Sequence, residues 1–137
     1  MKSSVVILNK ATLVNESKRT VVCVLKCKII TGAADNGVFF NQEAFKKLPN
    51  ISHELKFNVV GKAKCSEGDT FDSKLGTRIA ESKAKAKMFS TTAKFWDTIE
   101  SNIIKMAKKA HDKADYNEIL SKRELDHVEE LYNNQSK

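Results

Sequence analysis

The chain has 137 residues, 41% apolar and 30% charged, with a formal net charge of +7 and a pI near 9.3. That length supports one domain around a single core, and the balance of apolar to charged residues excludes a disordered chain. No apolar run reaches membrane-spanning length, and Val5 to Leu8 behind a lone Lys2 is too short for a signal-peptide core, so the expectation is a cytoplasmic protein without a membrane segment.

Val5 to Val14 opens with a continuous apolar run and reads as one strand or two. Asn15-Glu16-Ser17-Lys18 is turn chemistry, and Thr20 to Thr31 is rich in β-branched residues, so the two runs form a hairpin. One face of the second strand carries Val21, Cys23, Leu25, Cys27 and Ile29. The other begins with Val22 and Val24 and turns to Lys26 and Lys28, leaving the core near its middle. Thr31 to Gly37 is loop-like and feeds Val38-Phe39-Phe40. Asn41 then caps a short helix through Leu48 that Pro49 stops. Leu55, Phe57 and Val59 alternate with Lys56 and Asn58 in a strand that extends to Cys65.

Ser66-Glu67-Gly68-Asp69 ends that strand, and Asp69, Asp72 and Ser73 are candidate N-caps for the helix that follows. Gly76 in its first turn costs roughly 1 kcal/mol against alanine, which implies close packing on the strand behind it. At 100° per residue, Phe89, Trp96, Ile99, Ile103, Met106, Ala107 and Ala110 share one side, with Lys83, Lys87, Lys94, Lys105 and Lys108 opposite. Whether residues 72–112 form one helix or two is left open by the pattern. Ser90-Thr91-Thr92 suits a second N-cap, and Lys85 on the apolar side favours a break. A final helix runs from Asp115 to about Tyr132, with a capping box at Ser121 and Glu124, and Asn133 to Lys137 should fray.

The joint between the two halves carries Gly61, Ala63, Lys64, Cys65, Asp69, Phe71, Asp72, Gly76, Arg78, Ala80, Lys83 and Ala84. This strand-turn-helix pattern, covering about a fifth of the chain, resembles that of small uncharacterised proteins of phages and prophages. The resemblance implies an origin in a mobile genetic element and brings no activity with it.

Three cysteines, an odd number, argue against a disulfide framework. Cys23 and Cys27 stand roughly 13 Å apart along one strand face, too far for a bridge or for one zinc ion. His111 with Asp115, and His127 with Glu130, supply two ligands each where a metal needs more. Cys65 sits among carboxylates that oppose thiolate formation, and there is no P-loop, GxGxxG or HExxH. The expectation is therefore a non-enzymatic protein with no catalytic residue, no metal and no cofactor.

Residues 1–70 hold 11 basic and 6 acidic side chains, and residues 71–137 hold 13 and 11, so the positive excess lies in the β half and at the joint. Lysines along a helix face follow a phosphate backbone and release its counterions. The expected nucleic-acid-binding residues are Lys62, Lys64, Arg78, Lys83, Lys87 and Lys94. The fold expected is a single α+β domain over residues 1–137, mainly β to residue 65 and mainly helical from 66 to 134. An antiparallel sheet of three to four strands and one short helix is packed by the C-terminal helices. The partner is DNA, RNA or a nucleic-acid-bound host complex. The alternative is a protein-interaction module that modulates a host factor through Trp96 or Phe89, and the long helices also allow a homodimer.

Overall fold

The computed structural model of the chain describes residues 2–31, 48, 50–52 and 54–135. Three strands, β1 (Val5–Asn15), β2 (Thr20–Ile29) and β3 (Lys56–Lys64), form an antiparallel sheet in the order β1-β2-β3. One helix, α1 (Ser73–Gln135), follows and lies on one face of it. The hairpin expected of β1 and β2 is present, pairing Asn15 with Thr20 and Val5 with Ile29, with one irregularity between Ile7 and Asn9. Its turn works as its residues suggest: the Asn15 carboxamide oxygen accepts from the Lys18 amide at 3.0 Å and from the Ser17 hydroxyl at 2.8 Å. Arg19 closes the turn at φ 54°, in the left-handed region. The Val38-Phe39-Phe40 run, the loop before it and the short helix from Asn41 lie outside the described residues. Leu48, at that helix's expected end, is half-buried against the core.

The side chains of β2 expected to point inward all do. Val21, Cys23, Leu25, Cys27 and Ile29 are fully buried and meet Phe57, Val59 and Ala63 of β3 beneath α1. Burying side chains of the size of Leu25 or Phe95 stabilises the fold by about 1.5–3 kcal/mol each. The helix covers β2 and β3 and leaves most of β1 open, so Ile7 and Val14 remain exposed although they share the core's face.

The C-terminal half corrects the expectation of several helices. Residues 73–135 form one continuous helix. Ser90-Thr91-Thr92 do not cap a second one: the Thr92 hydroxyl donates to the Met88 carbonyl at 2.8 Å, a bond made inside the helix. Ser121 and Glu124 are likewise interior and exposed, and Asn133 to Gln135 remain helical where fraying was expected. Nor does Lys85 require a break. It pairs with Glu81 at 3.2 Å, and Glu81 reaches Lys10 of β1 at 3.4 Å, so this flank carries charge across to the neighbouring strand.

The buried stripe also differs from the one read off the large side chains. It runs Ala80, Ala84, Met88, Thr92, Phe95 and Ile99, and Phe89 is 51% exposed. The alanines set this face because the helix backbone lies against the sheet at Gly61. A Cβ built on Gly61 would stand 2.0 Å from the Ala80 carbonyl oxygen and 2.5 Å from the Ala84 nitrogen. Gly76, expected to pack closely on a strand, does so: its Cβ would meet Val21 Cγ2 at 2.8 Å. Asp72 is the N-cap, its Oδ1 accepting from the amides of Lys74 at 3.0 Å and Leu75 at 3.1 Å.

Gly61→Ala must lift α1 off the sheet and is expected to cost about 3 kcal/mol in chemical denaturation. Gly68→Ala, where an added Cβ meets nothing within 4 Å, should leave stability within about 0.5 kcal/mol of the parent. Asp72→Ala is expected to cost about 1 kcal/mol through loss of the cap.

Candidate nucleic-acid interface

Two contacts at the ends of β3 fix which way its backbone faces. The Ile29 amide donates to the Leu55 carbonyl and the Cys65 amide to the Arg19 carbonyl, both at 2.9 Å. Antiparallel pairs exchange bonds at every second residue. The odd-numbered residues of this strand therefore bond β2, and the even-numbered ones turn their backbone groups to the outer edge.

That edge is where the helix lysines go. Lys87 Nζ donates to the Val60 carbonyl at 2.7 Å and Lys83 Nζ to the Lys62 carbonyl at 3.1 Å. Four helical residues rise about 6 Å and two strand residues about 6.6 Å, so an i,i+4 lysine pair matches an i,i+2 carbonyl pair. Ser52 closes the start of the same edge, its amide donating to the Lys56 carbonyl at 3.0 Å and its hydroxyl oxygen accepting from the Lys56 amide at 3.2 Å. Exposed backbone on an edge strand invites pairing with other chains, and lysines over it oppose that.

The face of the sheet away from α1 carries more charge than the helix stripe. The register places Val22 between Leu13 and Lys62, Lys26 between Asn9 and Asn58, and Lys28 between Val6 and Lys56. Thr20 lies opposite Lys64. Paired residues share a face, so Lys26, Lys28, Lys56, Lys62 and Lys64 stand together around an apolar centre of Leu13, Val22, Val24 and Val60. Among the described residues, the one carboxylate in ion-pair contact with these lysines is Glu54, whose Oε2 lies 2.8 Å from Lys56 Nζ. A hydrogen bond from Lys56, then the charges of Lys56, Lys28 and Lys26, hold the Glu54 carboxyl below its ordinary pKa, showing that these lysines act at one place.

Of the six residues expected to bind nucleic acid, Lys62 and Lys64 belong to this basic face, and Lys83 and Lys87 sit at its rim, bonded to the β3 edge. Lys94 lies further along, beside Asn58, Phe57 and Thr91 at a cavity of about 240 Å³. Arg78 is separate: five residues from Lys83, it is turned about 140° around the helix axis. The sequence reading missed Lys26, Lys28 and Lys56 as members. Their alternation with buried Cys27, Ile29 and Phe57 was visible, but their neighbourhood required the pairing of β2 with β3.

The other chemical candidates do not assemble a site. The Arg19 guanidinium donates to Cys65 Sγ at 3.3 Å, and that thiol faces the carbonyls of Ser66 at 3.5 Å and Asp69 at 3.7 Å. His111 meets Asp115 at 3.2 Å and His127 meets Glu130 at 3.9 Å, all exposed in mid-helix. Among the described residues no group of three or more His, Cys, Asp and Glu side chains is placed to hold a metal ion, and no helix is long and apolar enough to cross a membrane. Trp96 is half-buried, its ring edge-on to Phe95 at 5.0 Å and its Nε1 donating to Ser4 Oγ at 2.8 Å.

Cys23 and Cys27 have no exposed surface, and burial pushes the Cys27 thiol pKa up, whereas Cys65 is half-exposed. A thiol-reactive chromophore should therefore label one cysteine of the native protein, at Cys65, and all three only after denaturation. Rapid labelling of more than one in the native state would contradict this packing.

No protein-family model matches this chain, and neither a curated protein nor a solved structure does.

Proposed function

We propose that the protein is a non-enzymatic accessory protein that binds nucleic acid, free or within a host complex, through the open face of its sheet. The observation that carries this reading is the cluster of Lys26, Lys28, Lys56, Lys62 and Lys64 on one face with a single ion-paired carboxylate, Glu54. Lysines two apart on a strand stand about 6.6 Å from one another and the next strand lies about 4.8 Å away, so the face offers a grid of cations to a phosphate backbone. Lys83 and Lys87 extend it past the β3 edge.

The face carries no aromatic side chain among the described residues, so it offers no stacking platform for bases. Contact through phosphates alone makes the binding tolerant of sequence and sensitive to salt. The net charge of +7 adds attraction at long range. The phage-like pattern from Gly61 to Ala84 favours a mobile genetic element as the setting and the host cytoplasm as the place of action.

Labelled single- and double-stranded DNA and RNA, titrated across a salt series, test the reading. Five phosphate contacts predict a log–log slope of about −4.5 on duplex DNA, or roughly 500-fold loss of affinity between 50 and 200 mM salt. The triple variant Lys26→Glu, Lys62→Glu, Lys64→Glu should abolish binding while Lys122→Glu leaves it intact. Absence of binding at low salt, or binding indifferent to the triple variant, would overturn it.

A further inference from the structure

Every residue from 107 to 135 of α1 is exposed, so the distal part of the helix, about 43 Å long at 1.5 Å per residue, stands beyond the sheet with no partner in the chain. A solitary helix draws most of its stability from packing an apolar face, and this segment has such a face: Leu125 is 65%, Val128 44% and Tyr132 68% exposed. Ala107, Ala110 and Ala114 precede them by 18 residues each, which is five turns at 3.6 residues per turn, so the small and large sets lie on one line along the helix. Asn117 and Ser121 fall between them on the same line.

Charge is sorted along the same segment. Residues 105–113 hold Lys105, Lys108, Lys109 and Lys113 against Asp112, whereas residues 124–130 hold Glu124, Asp126, Glu129 and Glu130 with no lysine or arginine. A parallel copy would set like against like. A copy turned end for end about a twofold axis between residues 119 and 120 sets the lysine half of each helix against the acidic half of the other, with Lys109 level with Glu130 and Lys113 with Asp126. The same axis brings Ala107 level with Tyr132 and Ala114 level with Leu125, and Ala110 within one residue of Val128, so that small residues face large ones along the seam. Size and charge thus select the same occupant, the same orientation and the same centre.

We propose that two copies of the chain pair antiparallel through residues 107–132 of α1, with Asn117 and Ser121 at the crossing. The sheets then stand at opposite ends of the dimer, roughly 90 Å apart from the helical rise. This places two separate basic faces on one particle, an arrangement that raises avidity for any long polyanion that spans them. The inference does not depend on what the sheet face binds.

Sedimentation of the full chain at low salt tests it. The mass should rise from 15.4 kDa to twice that value with concentration. The variant Lys109→Glu, Lys113→Glu should weaken association by about tenfold or more. Adding Asp126→Lys and Glu130→Lys to that variant should restore association to within a few-fold of the parent, which separates lost pairing from lost folding. A monomer at about 100 μM, a dimer insensitive to the double reversal, or failure of the fourfold exchange to restore it would each overturn the proposal.

Discussion

The contact of Gly61 with the backbone of Ala80 and Ala84 governs how the two halves of this protein meet. A helix normally stands off a sheet by the length of its side chains. Here one strand position has no side chain and the facing helix residues have only methyl groups, so the Ala80 carbonyl occupies the space a Gly61 Cβ would need. Packing density in a protein interior leaves little room to absorb even one added carbon at such a point. The approach fixes the helix over β2 and β3, buries Val21, Leu25 and Phe95 between them, and leaves β1 at the margin.

The side-chain consequences follow from that position. Once the helix crosses β3 closely, its lysines on that flank reach the strand edge, and Lys83 and Lys87 spend their ammonium groups on the Val60 and Lys62 carbonyls. On the other flank Glu81 spans Lys85 and Lys10, and those two lysines hold its carboxyl below its ordinary pKa, Lys85 first through its hydrogen bond. Helix lysines that looked like a free stripe therefore divide between structural work and the rim of a basic surface. The centre of that surface belongs to β2 and β3, on the face the helix leaves open.

The helix also outruns the domain it stabilises. Its first part, to about Met106, has the sheet beneath it, and the remainder has solvent on all sides within one chain. The apolar line through the distal part is as regular as the buried one, with small and large residues exchanged between its two ends. Such a segment gains little from local helix propensity alone. Its sorted charges carry the same preference for an inverted copy as its side-chain sizes do.

Much of this was present in the order of residues. The alternation in β2 named its buried face residue by residue, Asp72 was a visible cap, and Gly76 announced a close approach, because strand period, capping and glycine cost are local properties of the chain. The same holds for the absence of a P-loop or other phosphate-binding glycine motif. The helix register was misread because burial was assigned to the largest side chains, whereas the deepest helix positions, Ala80 and Ala84, are small so that the backbone itself can approach Gly61. The continuity of the helix was hidden for a related reason: Ser90, Thr91 and Thr92 carry capping chemistry, and Thr92 satisfies its hydroxyl within the helix instead. Membership of the basic face was beyond local reading, since Lys26 and Lys28 join Lys56, Lys62 and Lys64 only through pairing between strands about thirty to forty residues apart in sequence. Residue order settled the strands, the cap and the overall charge, which depend on near neighbours. The close crossing of helix and sheet and the grouping of the lysines depended on contacts between distant parts of the chain, and the fold alone supplied them.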